Sequence, residues 1–108
     1  MKNPIIRQGD VCLVPIADLP ADVEDVTPKK GRVVLMHGEA TGHAHAFYDR
    51  GVVLLQSKQE PRRRFLRVVE TTALLRHEEH ETAHVPPGLY ELPQQVEYSP
   101  EELQRVAD

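Results

Sequence analysis

Short apolar runs separated by turn-forming residues recur along most of the chain. Runs rich in Val, Leu and Ile lie between clusters of Gly, Pro and Asp, a pattern typical of strands in a sandwich or barrel rather than of helices. The acidic segment from Pro20 to Pro28 interrupts them and is expected to be a surface loop. The pattern predicts strands at residues 11–16, 32–37, 43–48, 52–55, 64–69, 72–75, 82–85 and 89–92.

One short helix is expected near the end of the sequence. Ser99 is a good N-cap, Pro100 suits the first turn, and Glu102 stands three residues after the serine, as in a capping box. The length of 108 residues is that of one domain, spanning residues 1–108. The fold expected is therefore all-β, a small β-sandwich or barrel with a short C-terminal helix.

Composition and charge argue against some classes of binding partner. The net charge of −4 gives no general electrostatic attraction to nucleic acid or to an anionic membrane. No apolar stretch has the length of a signal peptide core or a membrane helix, so a cytoplasmic location is expected. The single cysteine, Cys12, lies in an apolar run and is expected to be a buried, inert thiol.

Six histidines are an unusual number for this length. His43 and His45 are two residues apart, and in a strand such positions share one face, so the two imidazoles would lie side by side. A third ligand would come from His80 or His77, whose segment also carries Glu78 and Glu79. Neutral imidazole binds zinc, iron, nickel and copper well, and the set is expected to hold one divalent transition metal, manganese also being considered.

Plainer interpretations exist for each histidine. The first pair could be polar residues on a solvated strand face, and the second pair could belong to a charged surface turn. His37 is expected to be structural and His84 to face water. Gly38 and Gly42 bracket the approach to the first pair, and small residues at such places let the backbone come close to a ligand, which favours a site.

An arginine strip offers a second kind of interaction. Arg62, Arg63, Arg64 and Arg67 surround Phe65, and arginine binds phosphate oxygens while an aromatic ring can stack on a base. Most such runs are solvated strand edges that discourage edge pairing. The strip therefore supports an interaction module only as the less favoured interpretation.

Residues 38–45 are Gly-Glu-Ala-Thr-Gly-His-Ala-His, and Pro86-Pro87-Gly88 stands shortly before Tyr90. These two stretches resemble the first and second motifs of the cupin family. The resemblance implies a jelly-roll domain in which His43 and His45 are paired ligands, Asp49 stands roughly at the acidic ligand, and homodimers form through a sheet edge. The final cupin histidine is absent near Tyr90, so His80 would take its place.

The sequence also resembles small uncharacterised bacterial proteins over nearly its full length. The shared motifs are Gln-Gly-Asp-Val at residues 8–11, the Gly-Glu-x-Thr-Gly-His-Ala-His stretch, His-Glu-Glu-His at residues 77–80, and a later Gly-x-Tyr followed by Gln and Glu-Tyr. This likeness implies that His43, His45, His77 and His80 accompany the fold. It implies no activity.

The leading hypothesis is a cupin-like metal-binding domain. The ion could serve a small metalloenzyme with a small-molecule substrate, or it could be a structural clasp between strands. The alternative is a non-enzymatic interaction module, with a protein or nucleic-acid partner and structural or pH-sensing histidines. Asp49 and Glu79 both remain candidates to complete the ligand set.

Overall fold

The computed structural model describes residues 3–38 and 42–93, and this part of the chain is all-β. Every paired strand is antiparallel, and no helix occurs among the described residues. The helix expected from Ser99 onward lies outside them. The strands are β1 (Ile6–Gln8), β2 (Val11–Ile16), β3 (Val23–Asp25), β4 (Val33–His37), β5 (Ala44–Phe47), β6 (Val52–Ser57), β7 (Arg64–Val68), β8 (Ala73–Arg76), β9 (Ala83–Val85) and β10 (Gly88–Leu92).

The strands form two sheets that share one hydrophobic core. The larger has the order β1-β2-β10-β7-β6-β3, and the smaller has the order β4-β5-β8-β9. Alternate positions of both sheets supply the core, as the two-residue period of a strand requires. Leu13, Leu66 and Tyr90 from the large sheet and Phe47 and Leu75 from the small one are fully buried. The arrangement fits the expected β-sandwich.

Each of the eight predicted strands has a counterpart, but two further strands were missed. The Pro20–Pro28 segment is not only a loop, because β3 lies within it and pairs with β6, Val23 opposite Ser57. Asp22 stabilises the beginning of this pairing, because its carboxylate accepts hydrogen bonds from the Ser57 hydroxyl and the Gln59 N–H. An edge strand held by its backbone needs few apolar side chains, so the apolar pattern does not reveal it.

The environment of Cys12 differs from the expectation of a buried thiol. Its side chain is only partly buried, because β2 alternates and places Val11 and Leu13 in the core instead. Residues 3–38 and 42–93 contain no helix that is long and apolar enough to cross a membrane.

Candidate metal centre

Four histidines from two distant segments meet beside the small sheet. His43 directly precedes β5 and His45 lies on it, while His77 follows β8 and His80 lies in the β8–β9 loop. Antiparallel pairing of β5 with β8 puts the start of one strand beside the end of the other. The ring centroids of His45 and His77 are 4.3 Å apart, those of His77 and His80 4.6 Å, and those of His43 and His77 5.9 Å.

These side chains form two overlapping groups of potential ligands. His45, His77 and His80 form the first, here called the His45 trio, and His43, His77 and Glu78 form the second, the His43 trio. Within each trio the ligand atoms lie within 4.8 Å of one another. A tetrahedral ion with bonds of about 2.0–2.1 Å needs them about 3.3 Å apart, so binding requires only a small inward movement. The expected His43 and His45 pair is divided between the trios.

Gln8 fixes the orientation and tautomer of His45. The Gln8 Nε2 donates hydrogen bonds to the carbonyl oxygens of Leu75, at 2.7 Å, and Glu81, at 2.9 Å. Its Oε1 is therefore the atom that faces the His45 Nδ1, 2.8 Å away. Since an amide oxygen only accepts, Nδ1 must carry the ring proton. The lone pair is thus left on Nε2, where a metal ion can bind it.

The surroundings of His45 also keep it neutral. The residue is 4% exposed, and burial, reinforced by the neighbouring His77 and His80, lowers its pKa below the ordinary value. A neutral imidazole is the form that binds a metal ion. His45 is therefore prepared as a ligand without any change in its own hydrogen bonds.

His77 is held differently. The backbone N–H of Glu79 donates to its Nδ1 at 3.0 Å, so in the neutral ring the proton lies on Nε2. To bind an ion, His77 must either release this hydrogen bond and use Nδ1, or move its proton and use Nε2. The residue common to both trios is thus the one that must rearrange.

Two glycines allow the backbone to approach the histidines closely. A Cβ added to Gly9, which has φ of 55°, would lie 2.6 Å from the His80 Nε2. A Cβ added to Gly38 would lie 2.9 Å from the His43 Cβ and 3.1 Å from the His77 Nε2. The proposed role of Gly38 as a small residue beside the histidines is consistent with these contacts.

Two carboxylates lie on the His43 side of the cluster. Glu78 Oε1 accepts a hydrogen bond from the Ala44 N–H at 2.9 Å, which lowers the pKa of this carboxyl group. Glu79 Oε1 lies 3.7 Å from the His43 Nδ1. Asp49, by contrast, belongs to neither trio, and its Oδ1 accepts from the Leu74 N–H at 3.2 Å. Glu78, outside the predicted ligand set, is the carboxylate that joins a trio.

His37, His84 and the arginine strip take no part in either trio. His37 and His84 are exposed and belong to neither trio. In the arginine strip, Arg63 forms an ion pair with Glu91 at 3.3 Å and lies over the Phe65 ring. Arg64 donates to the Leu35 carbonyl at 2.8 Å and so joins the two sheets. Two of the four arginines in the strip therefore contact other residues of the same chain.

An open cleft of about 370 Å³ adjoins the cluster. Ala44, His77 and Glu78 line it on the side of the metal ligands, and Tyr48, Arg76 and Thr82 line the rest. The Tyr48 hydroxyl accepts a hydrogen bond from Arg32 at 3.3 Å. A small polar molecule in this cleft would lie next to residues of the His43 trio.

Gln8 and Gly9 were not foreseen as parts of the site. Gln8 is the last residue of β1 and Gly9 begins the turn into β2, and Gln8 is separated from His45 by 37 positions in the sequence. The sequence shows only a polar residue before a glycine turn, which is common at the end of a strand. The one useful signal is a glutamine in the position of a buried residue of a short alternating strand.

Comparison with other proteins gives a family without an assigned activity. No curated protein and no solved structure matches this sequence. The family described as "Domain of unknown function (DUF8820)" matches residues 7–95, which contain β2 to β10, both trios, Gln8 and Gly9. Because this match covers most of the sequence, the chain belongs to the DUF8820 family.

Proposed function

We propose that this domain binds one divalent transition metal ion at the His45 trio. The observation that carries the proposal is the hydrogen bonding of Gln8, which fixes the proton of His45 on Nδ1 and leaves Nε2 free. A metal-binding imidazole usually donates its other N–H to a carboxylate, a backbone carbonyl or water, and the Gln8 amide oxygen takes that acceptor role for His45.

The ligand set favours particular metals and leaves room for a further ligand. Three imidazoles suit zinc, copper, nickel and iron better than manganese, which prefers oxygen ligands. With three protein ligands, a tetrahedral ion would keep a fourth position for water or an oxygen donor, and the ion would supply Lewis acidity there. A small-molecule substrate in the cleft lined by Tyr48 and Arg76 is part of this proposal.

The cupin likeness is proposed in a restricted sense. Imidazoles that project from β5 and the β8–β9 loop at one side of a β-sandwich resemble the placement of cupin ligands. The strand order gives the jelly-roll type no support, because the small sheet follows the chain as β4-β5-β8-β9, whereas a jelly roll is built from two Greek keys. The metal proposal does not depend on that topology.

The test is metal binding by purified protein after treatment with a chelator. We expect calorimetric titration with Zn²⁺ to give one ion per chain, and a His45→Ala, His80→Ala double variant to lose this binding. His84→Ala is the matched control, because it removes an exposed histidine outside both trios. Equal binding by the wild type and the double variant would refute the proposal.

Thermal unfolding distinguishes an ion that is available for chemistry from one that holds the fold together. Free Zn²⁺ at about 100 times its Kd should stabilise the folded state by about 2.7 kcal/mol, and EDTA should reverse the gain. A chain that stays folded after chelation has a metal site available for chemistry. A chain that unfolds holds the ion as a structural clasp.

A further inference from the structure

The two trios cannot be filled independently, because they share His77. A neutral imidazole has one nitrogen with a lone pair and one that carries a proton, so it serves one ion at a time. An ion bound by the His43 trio and an ion bound by the His45 trio therefore compete for the same ring. The two trios are alternative positions for a single ion.

The two positions differ in the charge of their ligands and in how firmly those ligands are already held. The His43 trio includes the Glu78 carboxylate, which accepts a hydrogen bond from the Ala44 N–H, and Glu79 lies close to His43. None of its members is buried. The His45 trio consists of imidazoles only, and His45 is buried and locked by Gln8. A hydrated cation is attracted first to the exposed carboxylate and is bound longer by the prepared imidazoles.

His77 connects the two positions. Its ring lies 5.9 Å from that of His43 and 4.3 Å from that of His45, between centroids. Its only hydrogen bond within the described residues comes from the Glu79 N–H, in the exposed β8–β9 loop. A ring held by one loop hydrogen bond can turn without disturbing a strand.

We propose, on the basis of the proposed function, that the His43 trio is the loading position for a divalent cation, which His77 then passes to the His45 trio. The ion would only exchange ligands if His77 binds it through Nδ1, and if His77 binds it through Nε2 the proton of that nitrogen must first pass to water or to Nδ1. His43 and Glu78 are released as the ion reaches His45 and His80. They therefore contribute to the path of the ion and not to its final ligand set.

A loading position has a kinetic signature that a final ligand does not share. Removing it slows arrival and departure of the ion by the same factor, because both directions use the same path. The equilibrium Kd is then unchanged. Loss of a final ligand instead raises the Kd, chiefly through faster dissociation.

The experiment measures Co²⁺ binding by stopped-flow absorbance, using the visible bands that the ion gains with nitrogen ligands. Glu78→Gln is the main variant, because the amide oxygen can still accept from the Ala44 N–H and the fold is preserved. His43→Ala is the second variant. Glu81→Gln is the control for charge, since it removes one exposed carboxylate of the same loop without touching either trio.

We expect both variants to slow association and dissociation together, by about tenfold, the lower end of what a local field contributes to association rates. Their Kd and the stoichiometry of one ion should match the wild type, and the Glu81→Gln control should keep wild-type rates. Unchanged rates would overturn the proposal, as would a raised Kd with faster dissociation or two ions bound at once. Failure of wild-type protein to bind Co²⁺ or Zn²⁺ would instead reject the proposed function itself.

Discussion

Replacing Gln8 by alanine removes three hydrogen bonds at one buried point. The carbonyl groups of Leu75 and Glu81 lose their donor, and the His45 Nδ1–H loses its acceptor. Each lost hydrogen bond costs about 1 kcal/mol, and more where water cannot replace the partner. We therefore expect the free energy of unfolding to fall by about 3 kcal/mol.

The same change should weaken metal binding through the tautomer of His45. Without Gln8 the ring can carry its proton on either nitrogen and can rotate, so Nε2 is no longer reserved for the ion. Loss of such an outer partner typically reduces metal affinity by about 10-fold to 100-fold. Gln8→Glu is an informative companion, because a carboxylate can accept from His45 but, when ionised, faces two carbonyl oxygens without a proton to donate.

Thermal unfolding of metal-free protein and calorimetric titration with Zn²⁺ measure the two effects separately. A loss of about 3 kcal/mol corresponds to a fall in Tm of about 12 °C or more for a domain of this size. Gln56→Ala is the matched control, since this glutamine lies on the large sheet and its side chain, among the described residues, makes a single long, exposed hydrogen bond to Glu24. A Gln8→Ala protein with the Tm and Zn²⁺ affinity of the control would show that the reasoning about His45 is wrong.

Three further predictions concern single positions. Gly9→Ala should lower Zn²⁺ affinity about tenfold, because its Cβ would lie 2.6 Å from the His80 Nε2, and the positive φ should cost about 1–2 kcal/mol in thermal unfolding. The pKa of His45 is lowered by burial, so the unfolded chain takes up this proton first as the pH falls below about 6.5. The Tm of metal-free protein should consequently decrease from about pH 8 to about pH 5, and a His45→Gln variant should show a shallower decrease. Tyr90→Phe removes the hydroxyl that donates to the Pro86 carbonyl at 2.6 Å and accepts from the Asn3 Nδ2 at 3.0 Å. It should cost about 2 kcal/mol, with Zn²⁺ affinity unchanged in the same titration.

Much of the sandwich can be predicted from the sequence because the core strands alternate. Phe65 and Leu75, for example, lie in runs whose apolar residues and flanking turns are visible without a structure. β1 was missed because it buries only one apolar residue, Ile6, beside the polar Gln8. β3 was missed because it buries no residue fully and is held by backbone pairing and by the contact of Asp22 with Ser57, which leave no apolar period.

The histidines were identified from the sequence, but their grouping was not. The two-residue spacing suggested that His43 and His45 share a strand face, yet β5 begins at Ala44, so the alternation does not extend to His43. That residue lies instead beside Glu78 and His77. The roles of Gln8 and Gly9 depend on how the β1–β2 turn meets the β8–β9 loop, a long-range arrangement that no local pattern contains.

The three-residue length of β1 links the chemistry of the cluster to local opening of the fold. Short edge strands detach with small free energies, well below that of global unfolding. Whenever β1 detaches, Gln8 leaves with it and His45 loses the acceptor that defines its tautomer. A bound ion would therefore protect this edge strand, and hydrogen exchange at the amides of Ile6 and Gln8 should slow when the cluster is filled. The pairing of β1 with its neighbour and the binding of an ion by the histidines are therefore coupled, so each should stabilise the other.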